Sequence, residues 1–162
     1  MKRLALLLVS LTLVGLTFAQ EAAQNPIEIR IETFLVSVVQ GDEQLRPATT
    51  ARPGQIVEYR ITAINRSEET LPEGIVEIIG PIPEGTSYVP NSATPASERV
   101  LTEYSAPGSN EYSAEPVMVG ESEDREVAEP NTYDAIRWTL LVPMEPGQEE
   151  TFFYRVQVDQ DD

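Results

Sequence analysis

Between Pro53-Gly54 and Asn65 the stretch RPGQIVEYRITAINRS alternates with period two: Val57, Tyr59, Ile61 and Ala63 on one parity, Glu58, Arg60 and Thr62 on the other. An extended chain sends successive side chains to opposite faces, so this pattern specifies a strand with one buried and one wet face. The Pro-Gly pair sets a turn before it, and Asn65 ends it. The same period recurs in Ile27, Ile29 and Ile31 against Glu28, Arg30 and Glu32, in Ile136, Trp138 and Leu140, and in Phe152, Tyr154, Val156 and Val158. The apolar run 34–39 continues or pairs with the first of these and is closed by Gly41-Asp42. A polar stretch with Arg46-Pro47 then leads to the turn at Pro53-Gly54. Further strands are expected over 74–79, 99–104, 116–119, 135–142 and 151–158, with a hairpin-like turn at Pro146-Gly147 between the last two. Pro81, Pro83 and Gly85 forbid a central-strand ladder, so 86–89 reads as a crossing between sheets. Outside the first residues no helical period is sustained. The class is therefore all-β, a sandwich of about eight short strands. Its expected core is Val57, Tyr59, Ile61, Ile78, Trp138, Leu140, Phe152, Tyr154 and Val156.

The chain opens with Lys2 and Arg3, an apolar run from Leu4 to Phe18, and small residues Thr17 and Ala19 where a signal peptidase reads. This is the pattern of a secretory signal cut after Ala19. The run is interrupted by Ser10, Thr12 and Gly15 and is shorter than the roughly 20 residues a spanning helix needs. No later segment is apolar enough to span, so no membrane insertion is expected after cleavage. Residues 20–26 read as a loose polar lead-in, and 27–162 as a single domain. With no cysteine there is neither a disulfide framework nor a lipid-modified anchor. The net charge is −16 and becomes more negative when Lys2 and Arg3 leave with the signal. Such a field repels nucleic acid and anionic membranes, favours cations or basic partners, and also serves plain solubility.

The missing residues narrow the chemistry. Without His or Cys, the commonest general base, the commonest transition-metal ligands and the thiol nucleophile are lacking. Lys2 is the only lysine and leaves with the signal, which removes Schiff-base chemistry and lysine cross-links. Carboxylates, hydroxyls and arginines remain, and no acidic pair stands out as a hydrolase pair. No catalytic residue and no cofactor are assigned. Segment 107–134 carries the acidic candidates Glu121, Glu123, Asp124 and Glu126, with Glu129 nearby and Arg125 among them. Hard cations take several oxygens from one loop, but this spacing fits no calcium loop, and a solvated acidic hairpin tip is the plainer reading. Tyr104, Tyr112 and Tyr133 with Trp138 offer the residues of a sugar-stacking face; the plainer and favoured reading puts Trp138 in the core and the tyrosines on loops. Asn65-Arg66-Ser67 fits a glycosylation triplet, yet Asn65 is read as the structural end of its strand. Ile27–Glu32 alternates as a donor strand would, although pairing within its own sandwich is simpler. Arg137 and Arg155, opposite the apolar faces of their strands, are expected to pair with surface carboxylates.

The blocks PGQIVEYRITAINRS, GPIPEGTSYVPNSATP and IRWTLLVPMEPGQEETFFYRVQV, in that order, resemble the conserved-repeat surface domain known as domain of unknown function number eleven. The shared pattern is a Pro-Gly turn, a strand ending in Asn, a Pro-x-Gly loop, a Ser-Ala-Thr stretch, a Trp strand and a second Pro-Gly turn. It covers most of 52–158. The resemblance implies an immunoglobulin-like sandwich of exported and cell-surface proteins, often in tandem as spacer or adhesion architecture. Here one copy is present with no wall-sorting tail, so a short secreted bacterial member is expected. The functional expectation is a non-enzymatic structural or protein-interaction domain of the cell envelope, in the periplasm, at the surface or outside the cell. Its partner would be another envelope or surface protein. The alternative is a binding module for a divalent cation or polysaccharide through 107–134.

Overall fold

The computed structural model describes residues 25–107, 109, 111–120 and 125–160. The signal segment 1–19 and most of the lead-in lie outside them. The described chain is all-β: β1 Ile27–Val39, β2 Asp42–Pro47, β3 Ile56–Asn65, β4 Glu77–Pro81, β5 Thr86–Tyr88, β6 Val100–Ser105, β7 Met118–Val119, β8 Glu126–Val127, β9 Ala135–Leu140 and β10 Glu149–Val158. A 3-10 turn, Pro130–Thr132, precedes β9. All pairings are antiparallel. A five-stranded sheet runs β2-β1-β3-β10-β5, a three-stranded sheet runs β4-β9-β6, and β7 and β8 form a small ribbon.

Several elements depart from the sequence expectation for identifiable reasons. The alternating run and the apolar run after it are one strand, β1, whose first part pairs with β3 while its last part pairs with β2. The polar stretch expected to lead to a turn is β2. Its composition is poor for a strand, but Gln40 and Gly41 both adopt positive φ, the two-residue turn that sets Val39 against Asp42 and folds the chain back. The Pro146-Gly147 turn does not join a hairpin, because β9 and β10 belong to different sheets. Instead Gly147 N donates to Asn65 O (2.8 Å) and Asn65 N to Gln148 O (3.1 Å), which feeds β10 onto β3. The crossing expected at 86–89 occurs just before it, since Thr86–Tyr88 already pairs with β10. The wet face of β3 is also less wet than its pattern implies: Glu58 and Thr62 are buried.

The two larger sheets face each other in a sandwich-like arrangement around aromatic rings. Trp138 of β9 is fully enclosed, with its ring 5.4 Å from Phe152 and 6.0 Å from Tyr154 of β10. Its indole N–H donates to Thr94 O at 3.1 Å, so no polar atom is left unpaired by the burial. Tyr154 stacks on Tyr59 of β3 at 5.2 Å and donates its hydroxyl to Pro81 O at 2.7 Å. Of the expected core residues, all are buried except Tyr59, which is half-buried against the rest. Burial of each such side chain contributes roughly 1.5–3 kcal/mol.

Gly80 of β4 makes room for these rings. A Cβ there would sit 2.8 Å from Tyr154 Cε1 and 2.9 Å from Trp138 Cζ3. Gly80→Ala is therefore expected to overpack the core and cost about 1–3 kcal/mol in denaturant unfolding, with a changed Trp138 emission. Wild-type stability with an unchanged spectrum would show that the rings are not held this tightly.

Candidate functional site

The acidic segment gives the least to build on. Glu121, Glu123 and Asp124 lie outside the described residues, and Glu126 sits exposed on β8. Among the described residues, no three acidic side chains converge as a metal site would require.

The aromatic candidates are dispersed by the fold. Tyr104 lies on strand β6, which matches the strand expected over 99–104 rather than the loop placement, and both it and Tyr133 are buried. With Tyr88 they form a cluster whose ring centroids are 5.0, 5.8 and 6.0 Å apart. Trp138 is in the core, and only Tyr112 stays near the surface, under the Arg137 guanidinium at 4.6 Å. These four rings thus make no common stacking face. Burial pushes the Tyr104 and Tyr154 phenols well above the usual range, helped by Tyr88 and Tyr59 respectively. Burial, then the neighbouring Glu115 charge, pushes Tyr133 up to about 12; its hydroxyl donates to Glu115 Oε1 at 3.1 Å. Because the fold favours the neutral phenol, the stability tied to Tyr133 is complete below its ordinary value of 10.0 and is lost as pH rises toward about 12. An alkaline absorbance titration should show these three tyrosines ionising only together with unfolding. Smooth titration of every tyrosine near pH 10.0 in folded protein would contradict their burial.

Charged and polar groups mostly support structure. Glu58, 3% exposed on the outer side of β3, accepts from Arg60 Nε at 2.8 Å and Arg155 Nε at 2.9 Å. Arg155 also reaches Glu43 of β2, and that hydrogen bond holds the Glu43 carboxyl below the usual range. Arg137 pairs with Glu103 at 2.6 Å. Both arginines therefore pair with carboxylates on other strands of their sheets: Arg137 with Glu103 on the adjacent β6, and Arg155 with the buried Glu58 on the adjacent β3 and with Glu43 on the more distant β2. Asn65 is fully enclosed. Its amide donates to Glu69 O and Met144 O, both at 2.9 Å, while its Oδ1 accepts from Ser67 N and Oγ. The nitrogen a glycan would need is thus used in tying β3 to two loops.

The feature that sequence reasoning missed is a flank. The sheets are unequal, and the inner face of β1 runs past the cover that β4 provides. Ile29 and Ile31 on β1 are 45% and 60% exposed, and Ile75 before β4 is 65% exposed. Between Ile29 and Ile75 lies a groove of about 370 Å³, lined by Pro26, Ile27, Ile29, Leu71, Ile75 and Ile78, with Glu77 the one charged residue on its wall among the described residues; Ile31 continues the same face of β1 beyond it. Period-two alternation put Ile29 and Ile31 on a buried face. Only the sheet order reveals that nothing described lies over them. Comparison of the chain with protein-family models, with curated proteins and with solved structures returns no match.

Proposed function

We propose that this protein is a non-enzymatic, exported component of a bacterial cell envelope, an immunoglobulin-like domain that works by binding another envelope or surface protein. The observation that carries the reading is the flank of Ile29, Ile31 and Ile75, apolar surface lying together on one side of an otherwise strongly acidic molecule. Contiguous apolar surface rimmed by polar residues marks sites of association in soluble domains. The signal-like leader supports export, and the resemblance of 52–158 to the conserved-repeat surface domain supports an envelope role. The inventory of side chains points the same way: with His, Cys and a retained lysine lacking, binding asks less of this chain than catalysis does.

The test is to tag the mature chain at its C-terminus in its native host, fractionate the cells, and identify what is held after mild cross-linking. Recovery in the envelope fraction, cross-linked to one defined protein through β1 or the loop before β4, is the expected result. Recovery as a free monomer with no cross-linked partner would overturn the reading.

A further inference from the structure

We infer that the flank is a strand-acceptor site: an extended, basic segment of a partner protein adds to the free edge of β4 and lays its apolar side chains over β1. This rests on the interaction reading above and specifies how the partner is recognised.

The first support is the backbone of β4. Leu140 N donates to Val76 O at 3.0 Å and Ile82 N to Asp134 O at 2.8 Å, with Ile78 opposite Trp138 and Gly80 opposite Ile136. In an antiparallel pair alternate residues turn both backbone groups to the same neighbour. Ile78, Gly80 and Ile82 therefore face β9, as does the Val76 carbonyl, while Glu77 and Ile79 turn their backbone groups outward. Among the described residues no strand pairs with that side. Pro81, which has no N–H, sets the end of the available ladder.

The second support is what lies beneath. An added strand would run about 4.8 Å beyond β4. Its inward side chains would then enter the groove and cover Ile27, Ile29 and Ile31, giving the smaller sheet the strand it needs to match β1. The exposed apolar row on β1 and the unpaired edge of β4 are separate observations, and one strand satisfies both.

The third support is charge, which selects the occupant. Glu77 is the charged residue on the groove wall, the exposed Glu73 precedes it, and the whole chain carries −16. The outward side chains of an added strand lie beside Glu77, where lysine or arginine would be favoured and a carboxylate repelled. A second copy of this chain brings its own large negative charge and is the poorer fit.

The test uses isotope-labelled mature protein and a blocked peptide of about nine residues alternating lysine and valine, a length that suits one added strand. Backbone amide exchange is followed by nuclear magnetic resonance. At saturating peptide the Glu77 and Ile79 amides should exchange about tenfold more slowly or better. The same peptide with glutamate in place of lysine should have no such effect. Glu77→Pro, which removes an outward N–H that β9 does not use, and Ile29→Glu, at an exposed position, should each weaken binding about tenfold or more while the thermal transition is retained. Absence of protection at these two amides, or equal protection by the glutamate peptide, would overturn the proposal. So would edge amides already protected in the free protein; dependence on protein concentration would then assign the edge to a second copy, and independence to residues 20–24. A cross-linked partner mapped to another face would overturn the acceptor site while leaving the envelope-interaction reading intact.

Discussion

The packing of Trp138 against β10 is the contact on which the rest of the structure depends. β9 is the central strand of the smaller sheet, and its tryptophan reaches across to Phe152 and Tyr154 of the larger one. Tyr154 in turn stacks on Tyr59 and hydrogen-bonds the carbonyl of Pro81, so one ring joins β3, β10 and β4. Gly80 allows the close approach, and the Thr94 carbonyl accepts the indole N–H hydrogen bond. Aromatic pairs in such offset arrangements add about 0.5–1.5 kcal/mol each beyond their buried area. In a chain with no cysteine, these contacts do the cross-bracing that disulfides provide in many exported domains.

The exposed flank follows from the same geometry. The aromatic clasp centres the three-stranded sheet over β3 and β10, which leaves β1 and β2 as an overhang on one side. The outer side of that overhang is tied down by ion pairs, Arg66 to Glu28 and Arg155 to Glu43. Exposed pairs of this kind are individually weak, about 0–1 kcal/mol, and are screened by salt. The inner side has isoleucines and nothing described above them. Structure and the proposed function meet here: the asymmetry that leaves Ile29 and Ile31 uncovered is also what leaves β4 with a free edge.

Much of the fold was legible in the residues because period two is a local signal. β3, β9 and β10 were evident from alternating side chains, and eight of the nine expected core residues are buried, Tyr59 being half-buried. What local pattern lacks is the identity of the neighbour. The strand β2 owes its existence to the Gln40-Gly41 turn and to pairing with β1, and its own composition argued for a loop. Pro146-Gly147 reads the same whether it turns a chain back onto its own sheet or passes it to the facing one. Although Tyr104 ends an expected strand, neither it nor Tyr133 was expected in the core, because isolated tyrosines among polar residues give no sign that Tyr88, distant in sequence, completes a buried cluster. The flank was invisible for the same reason: alternation marks which face of β1 is apolar, and only the order of strands decides whether that face is covered.

The claim that one aromatic clasp makes the two sheets a single cooperative unit is tested most directly by native-state amide exchange across the whole domain. The slowest amides of β3, β10 and β9 are expected to exchange with one common opening free energy, equal to that of global unfolding. A sheet β4-β9-β6 that opens at distinctly lower free energy, while β3 and β10 stay protected, would contradict it.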